Sequence, residues 1–215
     1  YAPACANEWR EGVCGKPRTK CSECAQRQLL PLTDQVVFDH LSGSHVVGIY
    51  PLLDGDMCRF LAADFDEGEW KEDATAFAGI CRANSVPCAV EVSRSGKGAH
   101  VWMFFNSPIP AIEARRLGVA IISETCESRR QLELSSYDRL FPNQDRLPSG
   151  GFGNLIALPL QKKARERGGS VFVDECFKPF PDQWAYLASI AKMTQAAVKE
   201  VIARSTNGGD PLDLA

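Results

Sequence analysis

The chain is 215 residues long and 45% hydrophobic, enough to bury the core of one sizeable domain with a small appendage. Its 24 basic and 27 acidic residues leave a formal net charge of -3, which excludes a general electrostatic attraction to nucleic acid and requires any such groove to be local. No apolar run approaches the ~20 residues that cross a bilayer and no charged-then-apolar leader opens the chain, so a soluble cytoplasmic protein without membrane contact is expected. Tyr1 stands where an initiator methionine would, and Asn207-Gly208-Gly209-Asp210-Pro211 reads as a linker. Together they predict a piece of a longer polypeptide, with 206–215 leading to a neighbouring domain.

Cys5, Cys14, Cys21 and Cys24 crowd the first two dozen residues, in a segment too poor in apolar side chains to fold around a core of its own. Four thiolates complete a closed tetrahedral zinc site, and Cys21-x-x-Cys24 forms the tight chelating turn such sites use. Gly15 relieves crowding in a second turn after Cys14. Two disulfides or a redox pair are the alternative. Residues 1–30 therefore read as a zinc-binding segment and 31–205 as the main domain. Cys58, Cys81, Cys88, Cys126 and Cys176 sit singly in apolar stretches and read as buried small hydrophobes.

In chain order, Val46 to Leu53 and Cys58 to Asp66 read as strands around an Asp54-Gly55-Asp56 turn, a predicted hairpin. Trp70, Ala74, Phe77, Ile80 and Cys81 recur at helical spacing up to Asn84 and Pro87. Val86 to Ser93 and Ala99 to Phe105 are predicted strands, joined by a glycine-containing turn with exposed amides. A helix follows over Ile109 to Cys126. Tyr137 to Phe141 and Asn154 to Leu158 then read as a strand pair across a Pro- and Gly-rich connection, and the final helix spans Gln183 to Arg204. Strands and helices mix without regular alternation, which predicts an α+β fold.

Three blocks carry chemistry. Strand periodicity puts Asp64 and Asp66 on one face and Phe65 on the other. Two carboxylates at one point repel unless a divalent cation intervenes, and hard oxygen ligands suit Mg²⁺ or Mn²⁺; solvated loop acids are the alternative. Next, Ser95-Gly96-Lys97-Gly98-Ala99-His100 opens a strand. Its amides and Ser95 are placed to cradle phosphate oxygens, Arg94 and Lys97 supply charge, and His100 faces away from Val101. Lys97 is followed by glycine and no strand-to-helix context is present, so this is not a Walker A loop. Last, Asp138 and Asp145 precede a glycine-rich bend, and either is able to join the metal pair. The run Lys162 to Arg167 is a solvated charge cluster or a phosphate or template contact.

In order and spacing, Asp64-Phe65-Asp66, Ser95 through His100, and an acid before Gly153-Asn154-Leu155-Ile156-Ala157-Leu158-Pro159 resemble the three motifs of the archaeo-eukaryotic primase superfamily. The cysteine cluster with Asn7-Glu8-Trp9, Gly48-Ile49-Tyr50-Pro51-Leu52-Leu53, and Gly150 through Gln161 are similar to the primase domain of TOTE conflict systems and to CRISPR-associated primase-polymerases. This resemblance implies two mixed α/β halves with an RRM-like sheet. It implies a template-dependent nucleotidyltransferase, a DNA primase or polymerase, that takes nucleoside triphosphates on a single-stranded or primed template. Asp64 and Asp66 become metal ligands, and Ser95 and His100 triphosphate contacts. Asp145 ranks narrowly ahead of Asp138 as third carboxylate, Arg139 standing where some relatives carry an acid. Asn154, Gln161 and Lys162 are weaker candidates for nucleotide or template contact. A metal-dependent nuclease and an inactive zinc-dependent nucleic-acid-binding module are the competing functions.

Overall fold

A computed structural model describes residues 4–128, 134–147, 149, 151–205 and 212. Strands β1 (Gly48–Ile49), β2 (Met57–Asp66), β3 (Ala89–Val92), β4 (Gly98–Pro110), β5 (Tyr137–Phe141), β6 (Ile156–Ala157) and β7 (Val171–Val173) accompany helices α1 (Asp34–Ser42), α2 (Trp70–Ala83), α3 (Ala111–Ser128), α4 (Lys162–Arg165), α5 (Gln183–Ser189) and α6 (Gln195–Ser205). The main sheet is antiparallel in the order β5-β2-β4-β3-β7, and β1 pairs with β6 in a separate ladder. The α+β expectation holds.

Period-two alternation along β2 and β4 sorts the core into two layers. Leu61, Ala63, Phe65, Val101, Met103 and Phe105 face α2, α3 and α6, meeting Phe77, Leu117, Ile121 and Val198. Burying each large apolar side chain contributes roughly 1.5–3 kcal/mol, so this layer anchors the sheet. The opposite face carries Phe60, Ala62, Trp102, Phe141 and Phe172 under a thinner cover that includes Ile156, Leu160, Leu41, Tyr186 and Leu187. This face also carries Asp64 and His100, two residues further along the same strands.

Several expected pairings differ. Val46 to Leu53 does not form a hairpin with β2: Gly48 and Ile49 pair with Ala157 and Ile156, and a Leu53–Met57 bridge alone closes the turn. Likewise β5 pairs with β2 and not with the strand at Ile156. The final helix is two, α5 and α6, because the chain between them runs extended: Met193 bridges Phe105, and the Thr194 hydroxyl accepts the Ala197 amide to start a new helix. Helix α1, capped by the Thr33 hydroxyl and ended by Gly43 at φ 92°, and β7 had no sequence expectation. Cys58 and Cys81 are buried as expected, Cys88 is half-buried, and Cys126 and Cys176 are exposed. The expected linker, apart from Leu212, lies outside the described residues, as do Pro148 and Gly150 of the glycine-rich bend. Among the described residues no helix is long and apolar enough to cross a membrane.

Candidate metal and phosphate site

One rung of the main sheet builds the site. Arg139 on β5, Asp64 on β2, His100 on β4 and Glu91 on β3 are successive cross-strand partners. Between Asp64 and Phe65 the β5 register shifts from Arg139 to Tyr137, leaving Asp138 as the extra residue of a bulge. A bulge re-aims a side chain, and here it brings Asp138 to the acid pair. Among the described residues, Asp64, Asp66 and Asp138 form a group whose ligand oxygens all lie within 4.8 Å of one another. Asp145 is not in this group; it pairs with Arg115. The geometry thus places Asp138, and not Asp145, beside Asp64 and Asp66, because the bulge decides which acid reaches Asp64.

The donor set suits a hard divalent cation. Asp64 is 7% exposed, and its Oδ1 is buried without a hydrogen-bond partner. Its carboxyl is pushed up to about 6, chiefly by burial, with Asp66 and Asp138 adding to the rise and His100 and Arg139 opposing it. A cation among the three acids would offset that mutual repulsion. Arg139 Nε donates to Asp138 Oδ2 at 2.7 Å and already neutralises part of the charge.

His100 is 8% exposed, with Nε2 3.4 Å from Asp64 Oδ1 and Nδ1 3.0 Å from Glu91 Oε2. Burial works against its charged form, but Glu91, Asp64 and Asp66 outweigh burial and raise its pKa above the ordinary histidine value. Ahead of it, the 94–97 turn exposes Arg94 and Lys97. The Ser95 hydroxyl accepts the Lys97 amide at 3.1 Å and meets Ser93 Oγ at 2.9 Å. Gly98 lets the turn lie against the acids, since a Cβ there would collide with Asp66 Oδ1.

The weaker candidates scatter. Asn154 Nδ2 donates to Leu140 O at 3.4 Å, tying the glycine-rich bend to β5. Gln161 is buried and caps α4, accepting the Ala164 amide at 3.0 Å and donating to His45 O; its side chain is used structurally. Lys162 is exposed beside Glu166. The turn that follows α4 comes close to the 94–97 turn, as a Cβ on Gly169 would lie 2.8 Å from Ser93 O. Glu91 and Trp102 were missed. A glutamate between Val90 and Val92 in an apolar strand was the available signal.

At the N-terminus, Cys5, Cys14, Cys21 and Cys24 are unbridged and line one cavity with Lys16 and Arg27. The Gln28 amide donates to Cys5 Sγ at 3.3 Å. Arg27 stacks over Phe152 at 5.0 Å, and Phe152 meets Tyr50 at 5.1 Å, which docks this segment on the main domain. A family model described as the archaeo-eukaryotic primase domain of TOTE conflict systems matches residues 1–201, spanning the cysteine segment and the sheet. Among curated proteins, none matches the chain.

Proposed function

Because the chain belongs to the archaeo-eukaryotic primase family, in its TOTE conflict system branch, we propose that it joins nucleoside triphosphates on a nucleic-acid template by metal-dependent phosphoryl transfer. The observation that carries this reading is the Asp64, Asp66 and Asp138 cluster set one cross-strand step from His100. Divalent cations held by these three carboxylates would lower the pKa of the attacking 3′-hydroxyl and stabilise the departing pyrophosphate.

The chain's own residues do the positioning. His100, with its charged form favoured, donates Nε2–H toward phosphate oxygens and stabilises negative charge there. Arg94, Lys97, Ser95 and the amides of the 94–97 turn hold the triphosphate tail beside the acids. Exposed Lys163 and Arg167, in the basic run of α4 and the turn after it, meet the template strand's phosphates. Cys5, Cys14, Cys21 and Cys24 hold a structural Zn²⁺, for which their shared cavity and the amide bond to Cys5 are the support.

The test is synthesis on a single-stranded template with Mn²⁺ and separate ribo- and deoxyribonucleotide pools, with and without primer. Elongated or newly made strands are expected. Asp64→Asn and Asp138→Asn each lower turnover on the order of 100-fold or more, whereas Asp145→Asn works near the wild-type rate. Shortened template with no new strand would refute the reading in favour of hydrolysis. Equal losses at Asp138 and Asp145 would undo the choice of third carboxylate.

A further inference from the structure

Glu91 is 1% exposed in the middle of the main sheet. Removing an ionised carboxylate from water costs several kcal/mol unless donors surround it, and an apolar residue between Val90 and Val92 would avoid that loss. Three donors converge on it. Trp102 Nε1 donates to Oε2 at 2.8 Å, His100 Nδ1 meets the same oxygen at 3.0 Å, and Ser170 Oγ donates to Oε1 at 3.4 Å. The β3–β4 register makes this arrangement local, with Glu91 directly across from His100 and Ala89 across from Trp102.

A carboxylate only accepts hydrogen bonds. Nδ1 of His100 must therefore carry a proton, which leaves Nε2, with the second proton of the imidazolium, as the nitrogen turned to Asp64, 3.4 Å away. The Trp102 ring stands edge-on to the imidazole at 5.9 Å and 87°, closing off rotation on that side. Trp102 is itself held by its bond to Glu91 and by stacking on Phe104. One buried oxygen thus sets which imidazole nitrogen meets the site and the plane in which the ring lies.

We propose that Glu91 is the positioning residue of this site, acting through His100 to hold Nε2 toward the phosphates, with Trp102 fixing the carboxylate in turn. This rests on the reading of His100 as a triphosphate contact.

The chain has three histidines, His40, His45 and His100, so ring ¹⁵N–¹H spectra of the metal-free full chain are simple to assign. The wild type is expected to show a slowly exchanging, downfield Nδ1 proton on His100. Glu91→Gln, which keeps the shape but leaves only a neutral amide oxygen to accept, should move it upfield, speed its exchange and lower kcat/KM for nucleoside triphosphate roughly 10–100-fold. In combination with His100→Ala, Glu91→Gln should add nothing to the single histidine variant. If Glu91→Gln does not fold, Trp102→Phe serves instead and should shift the same proton resonance. An unchanged His100 resonance, or losses that multiply in the double variant, would overturn the assignment. Absence of turnover in the wild type would defeat the nucleotidyl-transfer reading while the ring spectra still decide the role of Glu91.

Discussion

Gly98 is the position where a single hydrogen atom in place of a methyl group decides whether the site exists. A Cβ there would collide with Asp66 Oδ1 and sit 2.5 Å from the Phe65 carbonyl, and the latter is backbone that cannot swing aside. Gly98→Ala therefore displaces the Asp66 carboxylate, and Mn²⁺ affinity measured by titration should fall roughly tenfold or more. Gly96 makes the contrast. It lies at φ 75°, and a methyl group added there would meet nothing within 4 Å, so Gly96→Ala should lower stability by about 1 kcal/mol through backbone strain and leave Mn²⁺ affinity unchanged. Equal metal affinities in the two variants would remove Gly98 from the site. Residues such as Asp64, Asp66 and His100 were legible because strand alternation alone sets their face. Glu91 was not, since it depends on a cross-strand neighbour, and Asp138 was named but ranked behind Asp145, since the bulge that brings it to the acid pair is not visible in the local sequence.

Elements were legible where apolar period and length agreed, as in α2, α3, β2 and β4. Partner choice was not, because a two-residue ladder such as β1 with β6 is selected by packing across more than a hundred residues of chain. His40 shows what holds that ladder. Fully buried on α1, it accepts the Val47 amide on Nδ1 at 3.0 Å and donates from Nε2 to Pro159 O at 3.0 Å, clamping both sides of the β1–β6 region. Burial lowers its pKa below the ordinary value of 6.5, against smaller opposing contributions from the Pro159 and Leu158 backbone. The unfolded chain then takes up a proton more readily than the folded one. His40 accordingly contributes stability that is full above pH 6.5 and is lost as pH falls through its depressed folded value. Thermal unfolding should show the wild type losing stability on acidification from pH 7.5 to 5. His40→Gln should start roughly 1–3 kcal/mol lower at pH 7.5 and show a flatter pH dependence. A variant with the wild-type slope would mean that other groups set the acid limit.

At the scale of the whole molecule, two parts are held together by different forces. From residue 4 to residue 39 no described residue is buried, so the cysteine segment has no core, whereas the sheet and its three helices bury two apolar layers. The proposed zinc would supply the cross-link that such a segment needs, worth roughly 10 kcal/mol or more for four thiolates. The segment joins the main domain in part through the stacking of Arg27 on Phe152, a contact worth about 0.5–1 kcal/mol. Metal loss should thus open the segment and spare the sheet. Metal analysis of protein purified under reducing conditions should find about one zinc per chain. After chelation, trypsin should cut rapidly at Arg18 and Lys20 while the part from α1 to α6 survives as one fragment. Arg27→Ala should retain zinc but weaken the docking, so that chymotryptic cleavage at the exposed Leu29 and Leu32 accelerates without loss of metal. Zinc-free protein whose segment resists trypsin in chelator and yields only to reductant would replace the metal by disulfides. The sheet's survival in either case would show that the acid site does not depend on the segment for its fold.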